Sequence, residues 1–246
     1  MDNNITNPSR RSFLGAGAAL VAASAAAAQP IPGLPAELQG VTVSTVADAL
    51  RQVGRDPMTL AMTPDIKPVT SARSTVIGPA VTTKWQAGQG RMTQDDVRRN
   101  MFEPLDAAAA GSIWVIAGGT ERILSLFGGV IGAACKRNGM LATVTDNGCR
   151  DIGAFDEIGF PVFAKASVPY GPADFVKPVA ANVAVVCGGV KVNPGDFVAA
   201  DIDGVIVIPK DDYTAVMDAA AEVLAKEQKM HEKIASGVSL TETYKI

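Results

Sequence analysis

The chain has 246 residues, of which 48% are hydrophobic and 19% are charged, and its formal net charge is −3 at pH 7. This length and apolar content suffice for one domain with a full core, and the slightly negative charge gives no electrostatic reason to expect nucleic-acid binding. The single histidine, His231, lies in a charged helical stretch and is predicted to be solvated. A zinc site with two or more histidine ligands is therefore excluded.

The N-terminal residues have the pattern of an export signal. Arg10 and Arg11 precede an apolar Ala/Gly-rich run, an arrangement that resembles the twin-arginine signal. The run from Phe13 to Ala28 is shorter than the roughly 20 residues of a membrane-spanning helix, which argues against the alternative of a membrane anchor. We predict a signal peptide over residues 1–28, cleaved on export to the periplasm, and no membrane attachment afterwards. An extended leader over 29–40 and one domain over 41–246 are predicted to follow.

Hydrophobic spacing and turn residues predict the elements of this domain in chain order. VSTVADALRQVG is a predicted helix that ends at Gly54, and STVIGPAVTTKWQA is a strand bent or bulged at Gly78–Pro79. QDDVRRNMFEPLDAAAAG is a helix interrupted near Pro104. SIWVIAGG is a buried strand that ends in glycines.

The second half of the chain continues this alternation. FGGVIGAACKRNG is a helix that begins at glycines and ends at Asn138–Gly139, and LATVTDNG is the next strand. Three further strands are predicted at PVFAKAS, VAVVCGGVKV and DFVAADIDGVIVIP, and the NPGD turn joins the last two. A long helix, DDYTAVMDAAAEVLAKEQKMHEKIASG, follows them. Alternating strands and helices predict a layered α/β domain.

The stretch TDNGCRD places Arg150 and Asp151 directly after a predicted strand and a turn. Adjacent residues of an extended chain point to opposite sides, so the two side chains are expected to face different partners rather than each other.

The three cysteines, Cys135, Cys149 and Cys187, form no CxxC pair and have no metal-binding spacing. In an oxidising compartment, one disulfide with one free thiol is an open alternative to buried, inert thiols.

The order of several segments resembles the RraA-like family, from about Val43 to Gly237. These segments are STVADALRQVG, VIGPAVTT, the run from FGGVIG to TDNGCRD and onward to VPYGP, and GGVKVNPGDFVAADIDGVIVIP. The family includes the regulator of ribonuclease activity A and the class II aldolases of 4-hydroxy-4-methyl-2-oxoglutarate and 4-carboxy-4-hydroxy-2-oxoadipate. The resemblance implies a single-domain α/β/β sandwich of the swivelling phosphohistidine-domain type, assembled as a homotrimer or a hexamer.

The resemblance also implies the roles of particular residues. Asp151 matches the aspartate that holds Mg²⁺ or Mn²⁺, partly through waters, and Arg150 matches the arginine that binds substrate. The amides of the helix start bind the carboxylate of the 2-oxo acid, and a metal-bound water or hydroxide manages protons. A glutamate of the last helix reaches the neighbouring subunit's site, for which Glu227 is the first choice and Glu222 the second. The backbone amides that bind the 2-oxo acid carboxylate are those of Gly128, Gly129, Val130 and Ile131.

Two departures from the family pattern bear on activity. Gly129 stands where family members usually carry an acidic residue, and Asn147 is additional between Asp146 and Gly148. For several residues a structural role is the competing interpretation: a tight turn at Gly128–Gly129, and backbone capping by Asp146. Structural turn roles are the predicted ones for Asp196, Asp201 and Asp203.

These observations favour a divalent-metal-dependent lyase that cleaves or decarboxylates a small 2-oxo acid and releases pyruvate, and oxaloacetate decarboxylation fits the same chemistry as a side activity. One alternative is a trimeric, non-catalytic binding or regulatory protein, which Gly129 favours. Another is a related lyase or hydratase that acts on a different sugar acid or an aromatic breakdown product. Specificity is expected from loops in which Trp85, Arg91 and Tyr170 line a pocket.

Overall fold

The computed structural model describes residues 34–245 except 89 and 173. The predicted signal peptide and the first residues of the predicted leader lie outside the described residues. The remainder of the leader contains a 3-10 turn at Ala36–Leu38, in which Leu38 is buried. Within the described part of the chain, no helix combines the length and the hydropathy needed to cross a membrane.

The helices begin and end at residues whose chemistry explains their limits. Thr42 and Thr45 form a reciprocal capping box at the start of the first helix, and Gly139, at φ +77°, follows the end of the fourth, as predicted. The predicted interruption near Pro104 is confirmed, because a π-helical turn at Arg98–Phe102 separates two short helices. The helices are α1 (Val43–Gln52), α2 (Gln94–Val97), α3 (Glu103–Asp106), α4 (Gly129–Arg137), α5 (Ile152–Glu157), α6 (Tyr213–Ala235) and α7 (Leu240–Thr243).

The strands form one large sheet and two short pairs. They are β1 (Lys67–Pro68), β2 (Val76–Ala87), β3 (Ile113–Gly119), β4 (Ala142–Thr145), β5 (Gly148–Cys149), β6 (Val162–Ala164), β7 (Ala166–Ser167), β8 (Val176–Ala181), β9 (Val185–Cys187), β10 (Val190–Val192), β11 (Phe197–Ala200) and β12 (Val205–Ile208). The large sheet has the order β1-β6-β4-β3-β2-β11-β12, and β8 also pairs with β2. Its centre, from β2 through β3 and β4 to β6, is parallel.

The two faces of β3 show how the core is layered. Trp114 and Ile116 pack on the side that carries α4 and α5, whereas Val115 and Ala117 pack on the side of the β9–β10 hairpin. A third cluster joins α1 and α6 to β11 and β12. Helices therefore cover one side of the central sheet and a small second sheet covers the other, which confirms the predicted α/β class.

Some predicted elements differ in detail from the structure. The strand through Gly78–Pro79 is unbroken, and its register shift lies between Lys84 and Trp85. Gly78 is instead needed for close approach, because a Cβ there would lie 2.1 Å from the carbonyl oxygen of Gly111. VAVVCGGVKV and DFVAADIDGVIVIP each fold into a two-stranded hairpin rather than one strand. The structure also contains β8 and α5, and the short elements β1 and α7, which the sequence patterns did not predict.

Candidate active site

Arg150 and Asp151 follow β5, which two neighbouring segments hold in place. Gly148 and Cys149 pair in parallel with β7, and the N–H of Val168 donates to the carbonyl oxygen of Cys149 at 2.9 Å. The N–H of Arg150 donates to the carbonyl oxygen of Phe127 at 3.2 Å. The backbone at Arg150 is therefore fastened beside the loop that leads into α4.

Asp151 has a left-handed backbone, with φ 64° and ψ 41°, directly before α5. This conformation costs an ordinary residue about 1–2 kcal/mol but suits aspartate and asparagine better. The Asp151 side chain does not cap its own helix; its Oδ2 accepts the N–H of Gly129 at 3.0 Å. The carboxylate therefore lies at the N-terminus of α4, where the helix dipole favours a negative charge.

The prediction that Arg150 and Asp151 face different partners is wrong for this pair. Arg150 Nε lies 3.8 Å from Asp151 Oδ2, because the left-handed residue turns the chain back where an extended chain would separate the side chains. Both side chains are about half exposed. Such an ion pair stabilises the fold by only about 0–1 kcal/mol, and both groups stay accessible to a ligand.

The glycines at the start of α4 are required by the close approach of α5. A Cβ at Gly128 would lie 2.4 Å from Asp151 Oδ2, and one at Gly129 would lie 2.8 Å from the Cβ of Ala154. This packing means that an acidic side chain at 129 has no room beside Ala154. The structural and the functional interpretations of these glycines are compatible, since their small size lets the Asp151 carboxylate reach the helix start.

The amides predicted to bind substrate are in part already occupied. Gly129 donates its N–H to Asp151, and Ile131 donates its N–H to the carbonyl oxygen of Gly128 at 3.1 Å. Val130 is 88% exposed, whereas Gly129 and Gly132 are buried, so only one side of the first turn of α4 faces solvent.

The two residues before Gly148 have structural roles. Asp146 accepts N–H groups from Gly118 at 3.1 Å and Gly188 at 3.4 Å, which ties β3 to the β9–β10 turn. Burial raises the pKa of Asp146, although these N–H groups favour its charged form. Asn147 is buried, and its Oδ1 accepts the N–H of Leu124 at 2.6 Å. Asn147 is recognisable in the sequence as an additional residue, but its contact with Leu124, 23 positions away, has no local signal.

The aspartates of the C-terminal hairpin have the predicted structural roles. Asp196 accepts the N–H of Asn193 at 2.7 Å, and Asp201 accepts the N–H of Val43, at the first residue of α1, at 2.8 Å. Asp203 accepts the hydroxyl of Ser44 at 3.1 Å.

The remaining predicted residues lie in different places. Glu227 lines a groove with residues of α1 and Tyr244, and neither Arg150 nor Asp151 lines that groove. Trp85 is 2% exposed and packs in the core, and it also lines a recess beside Gly118 that neither Arg150 nor Asp151 lines. Arg91 is exposed and lies 3.7 Å from a carboxylate oxygen of Asp174, and His231 is exposed as predicted. Tyr170 lines a recess close to Arg150.

The site fits a hard divalent cation only in one coordination mode. Among the described residues, no cluster of three or more His, Cys, Asp or Glu side chains could hold a metal ion. Mg²⁺ does not require one, because it commonly keeps several waters and binds through one or two carboxylates plus substrate. Asp151 suits this mode, since its Oδ1 makes no hydrogen bond with the described residues. The absence of a side chain at Gly128 also leaves space beside this carboxylate.

The cysteines are all free and buried. Burial raises the pKa of the Cys135 and Cys149 thiols to about 12, and that of Cys187 well above its usual range. Thiolate is the reactive form, so we expect no labelling of the native protein by a thiol reagent at pH 8 and complete labelling in denaturant. Rapid modification of any native thiol, followed by mass spectrometry, would contradict this expectation.

Comparison with known proteins gives consistent matches over most of the chain. A family model described as RraA-like, Aldolase/RraA, matches residues 43–207. A protein of Halalkalibacterium halodurans with the provisional name 4-hydroxy-4-methyl-2-oxoglutarate aldolase is 28% identical over 213 residues, which cover 85% of this chain and 91% of that protein.

Two solved structures share the fold. An uncharacterized protein from Pseudomonas syringae pv. tomato aligns with a TM-score of 0.71 and 22% identity, over 88% of this chain and 99% of that one. RraAS2 of Streptomyces coelicolor, described as an unusual member of the RNase ES inhibitor RraA protein family, aligns with a TM-score of 0.70 and 23% identity, over 83% of this chain and 100% of that one. These alignments confirm the fold class that the resemblance implied.

Proposed function

The chain belongs to the RraA-like family, and from this premise we propose that it is a divalent-metal-dependent carbon–carbon lyase. Its substrate is a small 2-oxo acid, which it cleaves or decarboxylates with release of pyruvate. The observation that carries the proposal is the meeting of Arg150, Asp151 and the start of α4 at one accessible place. The provisional name of the Halalkalibacterium halodurans relative supports the same chemistry.

Asp151 is the residue that would hold the cation, Mg²⁺ or Mn²⁺. The hydrogen bond from Gly129 to Oδ2 orients the carboxylate and leaves Oδ1 available. When bound, the cation supplies Lewis-acid stabilisation of the negative charge that develops on the substrate oxygen as the carbon–carbon bond breaks.

Arg150 and the first turn of α4 bind and orient the substrate in this proposal. A guanidinium offers two parallel N–H donors to a carboxylate, which a lysine cannot reproduce. The first turn, from Gly128 to Ile131, brings the positive end of the helix dipole toward the 2-oxo carboxylate. Because Gly129 carries no acid, the proton at the reacting carbon is exchanged with water or with Glu227 of a neighbouring copy.

Glu227 enters the site only through assembly. Within one chain its groove is separate from Arg150 and Asp151, so its predicted catalytic role requires a homotrimer or a hexamer in which α6 reaches another copy. We further propose export to the periplasm, supported by Arg10 and Arg11 ahead of the apolar run.

The test of the lyase is pyruvate release by the purified protein, followed with lactate dehydrogenase. Oxaloacetate and 4-hydroxy-4-methyl-2-oxoglutarate are each supplied with Mg²⁺, with Mn²⁺ or with EDTA, and the rate without enzyme is subtracted. We expect turnover with either cation and none with EDTA. Equal rates in EDTA would contradict the metal dependence.

A second candidate is a non-catalytic binding or regulatory protein. The observation that favours it is Gly129, where Ala154 leaves no room for the acidic side chain usual in the family. A folded oligomer that releases no pyruvate from any 2-oxo acid, with any divalent cation, would favour this candidate over the lyase.

A further inference from the structure

A recess of about 400 Å³ continues from the proposed site on the side of Arg150. Arg122, Leu124, Tyr170, Gly171 and Phe175 line it. A Cβ at Gly171 would lie 3.4 Å from Arg150 Nη1, so the recess adjoins the Arg150 guanidinium. Its volume lies within the range of pockets that hold small molecules.

Arg122 brings a second positive charge to this recess. Its guanidinium carbon lies 5.3 Å from the centre of the Phe175 ring, a cation–π contact that favours this position of the guanidinium and engages the ring face rather than its N–H groups. Among the residues that the structure describes, no carboxylate neutralises it. Nearby Arg91, in contrast, lies 3.7 Å from a carboxylate oxygen of Asp174.

Asn147 joins the segment that contains Arg122 to the start of β5, the strand that Arg150 follows. Its buried amide accepts the N–H of Leu124 through Oδ1 at 2.6 Å. Its Nδ2 lies 3.5 Å from the carbonyl oxygens of Thr120 and Arg122. Asn147 precedes Arg150 by three positions, so this buried side chain, together with the backbone hydrogen bond from Gly148 to Leu124, ties the backbone that carries Arg122 to the backbone that leads to Arg150.

We propose that this recess is a specificity subsite for a second carboxylate, at the far end of a dicarboxylic 2-oxo acid. Arg122 binds that carboxylate, the apolar surfaces of Leu124 and Phe175 contact the carbon chain, and Asn147 is a positioning residue. The inference rests on the proposed lyase function, because it assigns the other end of the substrate to Arg150 and the start of α4.

The test compares two cleavable substrates that differ in the far carboxylate. 4-Hydroxy-4-methyl-2-oxoglutarate has it and 4-hydroxy-2-oxopentanoate lacks it. We expect Arg122→Gln to raise KM for the diacid by about 10- to 100-fold, as when a hydrogen bond to a charged group is lost, and to change KM for the monoacid by less than about 3-fold. Arg122→Lys should lie between, since the charge remains without the planar fork.

Arg137→Gln is the matched control, because Arg137 is an exposed arginine at the other end of α4 that lies 3.7 Å from the Asp106 carboxylate, its one salt bridge within the described residues. Its KM values should equal those of the wild type for both substrates. An equal change for diacid and monoacid in Arg122→Gln, or no change for the diacid, would overturn the subsite.

Calorimetric binding separates this inference from the lyase itself. In the presence of Mg²⁺, 2-oxoglutarate should bind more tightly than 2-oxobutyrate, and Arg122→Gln should remove the difference. Absence of turnover together with this selective binding would overturn the lyase and support the subsite. Turnover without any preference for 2-oxoglutarate over 2-oxobutyrate would support the lyase and overturn the subsite.

Asn147→Asp tests the positioning role, because it keeps the acceptor for Leu124 and removes the donor toward Arg122. We expect the ratio of diacid KM to monoacid KM to rise as in Arg122→Gln, with little further rise in the double variant. An unchanged ratio in a folded Asn147→Asp protein would rule out positioning by Asn147.

Discussion

Asp151→Asn is expected to lower metal-dependent turnover by about 10²–10³-fold, the range for removal of one group that stabilises developing charge. The reason is specific to the charge. Asparagine tolerates the left-handed backbone that Asp151 adopts, and its side-chain carbonyl can accept the N–H of Gly129 in place of Oδ2. The fold and the helix cap should therefore persist while the anionic ligand for the cation is lost. Coupled pyruvate release at saturating Mg²⁺ measures the effect.

The control for this variant is Asp156→Asn, in the helix α5 that follows Asp151. Asp156 accepts the backbone N–H of Ser71 at 2.6 Å and lies outside the proposed site, so its amide variant should lose some stability but keep the wild-type rate. Asp151→Gly, which fits the left-handed backbone but has no side chain, should be as inactive as Asp151→Asn. Turnover of Asp151→Asn within about 5-fold of the wild type would argue that Asp151 does not hold the cation.

Gly132→Ala is expected to destabilise the protein by about 1–3 kcal/mol, the usual cost of overpacking a core. An alanine in place of a helical glycine normally stabilises a helix by about 0.5–1 kcal/mol. At Gly132, however, a Cβ would lie 2.1 Å from Cε1 of Phe155, whose ring is fully buried. That ring contacts Phe127 and Phe160, so it cannot move without disturbing the packing of α4 against α5. Urea unfolding followed by circular dichroism measures the loss.

Gly153→Ala is the matched control, because the same substitution is expected to raise the free energy of unfolding at this position. Gly153 lies in α5, and a Cβ there meets no atom within 4 Å. We expect this variant to be about 0.5–1 kcal/mol more stable than the wild type. Turnover should fall in Gly132→Ala, because α4 and α5 bring Gly129 to Asp151. A Gly132→Ala protein as stable as Gly153→Ala would mean that the helices can separate without cost.

Local patterns were sufficient for much of the fold. The continuous apolar run of β3 predicted a buried strand, and the glycines around α4 predicted its two ends. The missed elements lacked such signals: β8 contains Pro178, which argues against an interior strand, and it pairs with β2 across a register shift at Lys84/Trp85. The helix α5 is six residues long and contains Gly153, so its local pattern was weak.

By itself, the sequence determined the α/β class, most element positions, the family resemblance and the candidate pair Arg150 and Asp151. These depend on residue order and on propensities that act over a few neighbouring residues. Only the tertiary structure decided what the pair contacts. Asp151 turns back to meet Arg150 and caps Gly129, which lies 22 positions earlier, and Asn147 joins the Arg122 segment from 25 positions away. Contacts over such separations arise when helices and strands pack, and no local pattern of the sequence encodes which side chains that packing brings together.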